Sequence, residues 1–307
     1  REQIAQDKIA ALVWISLATL MPFAFSMRVA PVQIWWALKY HELEFDGIDS
    51  YISGASSGDY KYFGKKLWRT GALGRTDWYI PELASEANTV RQQYKQFDVI
   101  LGSLGREEKL NNPEFVQVVA TILQKYPKVA FLWTGKEQLA SIQNIFEQYG
   151  VSQQCFFIGW VNTRLYAQVL DIFLDSFPFP CGFTTFETIA AAKPVVLYNS
   201  AEANEIGLVS NIAPVLTKLQ GTEQDQKLMY DIFYPEDESL YFCAKNLDEY
   251  FNYACRLIEE PELRRKSGYA NQQFIKYFFA SIEKMAISYT KHFLEVIHEK
   301  SVSFENN

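Results

Sequence analysis

The sequence predicts an α/β protein with a doubly wound parallel sheet, preceded by the C-terminal part of a second domain of the same kind. Three observations carry this. From Asp98 to Tyr198, short apolar runs alternate with helix-like segments, the rhythm of a parallel sheet covered on both faces. Residues 1 to 80 contain strand-like runs but no full alternation, so they read as the tail of a domain. The 307 residues suffice for two domains of ordinary size. The expected boundaries are 1–85, 90–275 and a closing helix within 280–307.

In chain order, the uncharged run Ile9 to Met27 is 19 residues long, so a membrane span must be weighed. Pro22 breaks it and Ser16, Thr19 and Ser26 dilute it, which favours a buried strand from Ala11 to Ser16, then a loop and a short helix. Arg28 to Trp36 and Asp49 to Ser53 contain further strands, and Gly54 to Tyr60 is a polar loop. Arg75 to Gln96, less periodic, is the expected linker. Then come strand Val99–Gly102, helix Pro113–Lys125 with Pro in its first turn, strand Val129–Trp133, and helix Glu137–Tyr149 ended by Gly150. Strand Cys155–Ile158, helix Thr163–Leu170, strand Ile172–Asp175, a helix from Thr184 to Ala192 and strand Pro194–Tyr198 follow. Beyond Asn246 the pattern is helical: Leu247–Glu259, Pro261–Phe279 and Ile282–His298. No repeat of solenoid period is visible.

Hydrophobic residues make up 49% of the chain, enough for a large core and against disorder. The net charge of -7 and the lack of a basic block argue against nucleic acid as a partner. Cys155, Cys181, Cys243 and Cys255 lack metal-type spacing, and His41, His292 and His298 are scattered, so no metal site is expected. Residues 1 to 8 show no signal-peptide pattern, and a reducing, cytoplasmic compartment fits the cysteines best.

The most informative stretch runs from Phe177 to Val196. Pro180, Gly182, Phe183, Thr184 and Thr185 fall between the carboxyl end of one strand and the start of the next helix. Ligands bind at that edge of an open parallel sheet, and free N–H groups at a helix start suit a diphosphate. The structural alternative is a capping box, Thr184-x-x-Glu187. Lys109, in the loop after Val99–Gly102, is either a solvated loop residue or a cation for a diphosphate leaving group at the same edge. His41 is the only His candidate for a general base, or else a surface residue. Trp160 follows another strand of the sheet and is a core residue unless its loop binds a ligand.

Several segments resemble one family. Glu187 stands seven residues before Pro194 and ten after Phe177, as in the nucleotide-sugar segment of GT-B glycosyltransferases. Lys109-Leu110-Asn111 with Pro113-Glu114-Phe115 resembles the phosphate-binding segment of the bacterial glucosyltransferases that modify high-molecular-weight adhesins. Arg28-Val29-Ala30-Pro31-Val32-Gln33 is similar to an Arg-x-Ala-Pro-Ile-Gln of those enzymes and of the O-linked N-acetylglucosamine transferases. Phe177-Pro178-Phe179 matches the adhesin enzymes, and Asn246 to Tyr250 with Arg256-Leu257 is similar to their C-terminal helix. The sequence departs from the family by lacking His near Thr184, by Lys39-Tyr40-His41 where Gly-Tyr-Pro or Gly-His-Pro stands, and by Glu202-Ala203-Asn204-Glu205 without His.

The resemblance implies a GT-B fold whose last helix crosses back to the first domain. It implies metal-independent, inverting transfer of a hexose or N-acetylhexosamine from a UDP-sugar to a protein side chain, with no cofactor. Lys109 would bind the diphosphate, Thr184 and Thr185 with the helix start its phosphate oxygens, and Glu187 the ribose. Main-chain groups of the loop with Trp160 and Val161 would hold the uracil. Two other readings stay open. One is a retaining GT-B transferase for lipid or polysaccharide, whose pattern has a further Glu where this chain has Pro180. The other is a degenerate transferase serving as a binding or assembly module.

Overall fold

A computed structural model describes residues 2–15, 20–37, 47–53, 61–62, 66–70, 75–198, 223–235 and 238–305. The chain divides into two compact units. One joins Arg1–Gly74 and Thr217–Gln220 to Ser281–Asn307; the other joins Arg75–Leu216 to Gly221–Ala280.

The first unit holds helix α1 (Glu2–Gln6), strand β1 (Ala11–Trp14), helix α2 (Leu20–Ser26) and strands β2 (Val32–Ala37), β3 (Ser50–Ser53), β4 (Lys61–Tyr62) and β5 (Lys66–Thr70). The sheet order is β1-β2-β3-β5-β4, parallel except where β4 meets β5. Strand alternation sorts β2 onto two faces. Trp35 packs with Trp14, Phe25, Ile48 and Tyr51. Val32 and Ile34 pack with Tyr289 and Val296 of the C-terminal helix, Ile282–Glu305. Edge strand β1 is mostly half-buried, not buried as expected, and Ile15 beyond it is exposed. Among the described residues no helix is long and apolar enough to cross a membrane.

The Arg28–Gln33 segment lies at the amino end of β2, where it acts as a staple. The buried Gln33 amide accepts from the Val29 and Ala30 N–H groups and donates to the Phe25 and Gly47 carbonyls. Arg28 makes two bonds to Asp49, at 2.5 and 2.8 Å, and Asp49 also receives Lys300 at 2.9 Å.

Among the described residues the second unit carries six parallel strands: β6 (Val99–Ser103), β7 (Val129–Trp133), β8 (Cys155–Phe157), β9 (Ile172–Leu174), β10 (Val195–Tyr198) and β11 (Phe242–Ala244). Their order is β8-β7-β6-β9-β10-β11. Within the unit that is 3-2-1-4-5-6, the doubly wound order, and the direction of winding reverses between β6 and β9. The apolar runs of β6 and β7 are buried throughout, as strands covered on both faces must be. The helices are α3 (Ala84–Arg91), α4 (Glu107–Leu110), α5 (Pro113–Lys125), α6 (Ala140–Gln148), α7 (Thr163–Val169), α8 (Phe183–Ala190), α9 (Glu223–Phe233), α10 (Leu247–Glu259) and α11 (Pro261–Phe278).

Three local expectations are corrected. The stretch read as a linker contains α3, which packs on α7, and the buried Trp78, whose indole donates to the Phe279 carbonyl. Helix α6 begins at Ala140 rather than Glu137, because Leu139 at its N-cap is extended. Strands β4, β5 and β11 and helix α9 have no counterpart in the sequence reading. Beyond α8, Ala192 adopts φ 58° to close a Schellman turn, and Gly268 of α11 packs against its carbonyl.

Candidate functional site

The segments after β6 and β9 flank the switch point, where a doubly wound sheet leaves a crevice for ligands. After β6 the chain makes the single turn α4, which carries Lys109. Lys109 is therefore a half-buried helical residue rather than one of an open loop. Its ammonium reaches across to the segment after β9, donating to the Pro180 carbonyl at 2.5 Å and the Cys181 carbonyl at 3.3 Å. Lys109 and the Phe177–Thr185 turn, seventy residues apart in sequence, thus form one structure.

The turn itself is tightly held. Phe177-Pro178 is a cis peptide. Phe177 is buried between Phe115, Tyr198 and Tyr250, and Ser176 Oγ donates to the Phe179 carbonyl at 2.7 Å. Gly182 is the N-cap of α8 at φ 82°, a conformation that strains any side-chain-bearing residue. A Cβ there would meet only Lys109 Nζ within 4 Å, at 3.9 Å. The mouth of α8 therefore opens beside the lysine. Phe183 and Thr184, in its first turn, lack helical acceptors for their N–H groups by position.

The capping box does not form. Gly182 caps without a side chain, and Thr184 Oγ is buried with no hydrogen-bond partner. Thr185 is fully buried; its N–H bonds the Gly182 carbonyl, and its hydroxyl donates to Asp175 at 3.4 Å. Its side chain thus points into the protein, away from the role expected at the helix mouth. Phe183 is exposed, its ring 5.8 Å from that of Trp78.

Glu187, one turn along α8, is buried and faces α7. It accepts from Thr163 Oγ at 2.5 Å and from Arg164 Nε at 3.3 Å. Arg164 also pairs with Asp77 at 3.0 Å, and Arg75 grips Asp77 while lying 4.7 Å over the Trp78 ring. The Thr163 bond ties the start of α7 to α8. Trp160 in the loop before α7 is 68% exposed, so the core reading fails; Val161 is half-buried, and Asn162 caps α7. His41 and the 202–205 segment lie outside the described residues.

Asp175, just past β9, closes an apolar run in the sequence, and in the fold it is a buried carboxyl at this edge. It is 1% exposed and accepts the Cys181 N–H at 2.7 Å. Burial pushes its pKa up to about 6, against the opposing pull of the Cys181 N–H and the Lys109 charge. Glu107 of α4 holds the Lys136 N–H at 2.9 Å, and Thr134 holds the Gly105 carbonyl, so the segments after β6 and β7 are tied together. Among the described residues no group of three His, Cys, Asp or Glu side chains could hold a metal ion.

No protein-family model and no curated protein matches the sequence. Solved structures do. An O-GlcNAc transferase mutant of Thermobaculum terrenum has a TM-score of 0.66 at 16% identity, covering 98% of this chain and 55% of its own. The sucrose-phosphate synthase of Thermosynechococcus elongatus gives 0.61 at 11% identity, covering 97% and 76%. The pneumococcal O-GlcNAc transferase in complex with UDP and GlcNAc gives 0.59 at 13%, covering 97% and 59%. The fold is therefore α/β of the GT-B type. The chain spans little more than half the length of the two O-GlcNAc transferases it resembles.

Proposed function

We propose that this chain transfers a hexose or N-acetylhexosamine from a UDP-sugar to a protein side chain, with inversion and without a metal ion. The observation that carries the reading is the meeting of Lys109 with the mouth of α8 at the β6/β9 switch point. An ammonium and the positive end of a helix converge where a diphosphate leaving group needs charge. The likeness to glycosyltransferases supports the same reading, one of them having been solved with UDP and GlcNAc.

In this mechanism the acceptor attacks the anomeric carbon opposite the diphosphate. The carbon–oxygen bond breaks, and its electron pair stays on the diphosphate. Lys109, with the Phe183 and Thr184 N–H groups, receives that charge, which is the task a divalent ion performs elsewhere. An ionised carboxylate has about four acceptor directions, so Glu187 can hold the ribose hydroxyls while keeping Thr163 and Arg164. The loop of Trp160 and Val161 is assigned to the uracil. His41 is assigned the acceptor's proton. Titration of UDP into the chain, followed by a UDP-release assay with UDP-glucose and UDP-N-acetylglucosamine over protein acceptors, tests the reading. UDP release that depends on the acceptor is expected, and no affinity for UDP refutes it.

One observation favours a second reading, a degenerate transferase that binds without turning over. Lys109 and Glu187 are already held by protein groups. UDP binding with no release from any sugar donor is the outcome that selects it.

A further inference from the structure

The mechanism above leaves the buried Asp175 at the site unused. Asp175 takes the Cys181 N–H at 2.7 Å, and the carbonyl of the same Cys181 takes Lys109 at 3.3 Å. The carboxyl also receives the Thr185 hydroxyl from α8, while the Tyr250 phenol of α10 donates to the Asp175 backbone carbonyl at 2.8 Å. A single carboxyl thus lies beneath both halves of the proposed anion site, joined to the lysine on one side and the helix on the other. We propose that Asp175 is the positioning residue of the diphosphate site and takes up a proton when the anion docks on Lys109 and α8. The proposal deepens the nucleotide reading and rests on it.

The charges around Asp175 set the direction. Lys109 is the cation that acts on it, while the Cys181, Cys243 and Tyr250 groups that also sense it are pushed up by burial. Cys181 is raised to about 12 and Cys243 to about 11, so both stay neutral near physiological pH. With the carboxyl poised at about 6, it is the group here that responds in that range. A docking diphosphate brings negative charge beside it and shares the ammonium that favoured its ionised form. Both effects favour the protonated carboxyl. The proton comes from solvent, and no bond to carbon or phosphorus changes.

The test compares the parent with Asp175→Asn, which keeps an acceptor for the Cys181 N–H but cannot titrate. UDP is titrated calorimetrically in buffers of different ionisation enthalpy, so that the ligand's own titration is common to both proteins. If docking raises the carboxyl by about one unit, the parent takes up about half a proton more per UDP near pH 6.5 than the variant does. The parent-to-variant affinity ratio then rises roughly sevenfold from about pH 8 to about pH 5.5. Equal proton uptake and a flat ratio overturn the proposal. Should the variant not fold, the parent alone decides: phosphorus NMR of bound UDP gives the ligand's share, and the excess uptake must remain. Inorganic pyrophosphate is the second probe. If it binds with the excess uptake and UDP does not bind, the Asp175 proposal stands for the anion site and the nucleotide reading falls. If neither probe binds the parent, both fall.

Discussion

Replacing Lys109 with Ala separates the role that the structure gives this residue from the diphosphate contact proposed for it. In the folded protein its ammonium donates to the carbonyls of Pro180 and Cys181, both of which are buried. Taken as an exposed loop residue, Lys109 would be dispensable to folding. As it lies, its loss leaves two buried acceptors without that donor, a cost of about 1–3 kcal/mol in stability. The same ammonium, turned to a diphosphate, makes a charge-assisted contact of about 1.5–3 kcal/mol. UDP affinity should therefore fall roughly ten- to hundredfold. Uridine has no phosphate, so its affinity should be unchanged wherever the variant is folded. Urea unfolding followed by calorimetric titration of uridine and UDP reads both effects. A variant that binds UDP as tightly as the parent refutes the assignment. One that loses uridine and UDP alike shows that Lys109 shapes the turn and does not meet the phosphate.

Stability should fall as pH rises from about 4 to about 6, by as much as roughly 3 kcal/mol from Asp175 alone. The sign follows from a folded pKa above the unfolded one: the folded state holds the extra proton in that window, so the contribution is full below it and lost above it. Denaturant titrations across pH should show the slope in the parent and not in Asp175→Asn. Gly268→Ala would place a Cβ 2.0 Å from the Ala192 carbonyl oxygen, and should cost at least about 1–3 kcal/mol in thermal or urea unfolding. Glu187→Ala should weaken uridine as well as UDP, and should also lower stability by leaving the partly buried Arg164 without one of its acceptors. UDP affinity in a chelator should equal that with added magnesium.

The sheet of the second unit was legible because a strand buried on both faces must be an unbroken apolar run, as Val99–Leu101 and Val129–Trp133 are. The convergence of Lys109 on the Phe177–Thr185 turn could be anticipated because both follow strands whose carboxyl ends share an edge. What spacing could not reveal was where side chains turn. Thr184-x-x-Glu187 has capping-box spacing, yet Glu187 finds Thr163 and Arg164, and Thr185 finds Asp175; local sequence holds no trace of those distant partners. Asp175 carries no signal in sequence because it closes an apolar run, where a polar residue reads as the strand's end. Weakly patterned α3 fell below what periodicity resolves. The Arg28–Gln33 segment carried a family likeness, and its side chains are spent on holding the start of β2.

The central claim is that a nucleotide diphosphate docks between Lys109 and the first turn of α8. Amide chemical-shift mapping with UDP on the isotopically labelled chain tests it most directly. The account predicts the largest shifts at Cys181, Gly182, Phe183 and Thr184 and around Lys109, with none at the amino ends of β6 and β9. Saturable binding that leaves those amides unmoved, or shifts that gather at the opposite edge of the sheet, would contradict it.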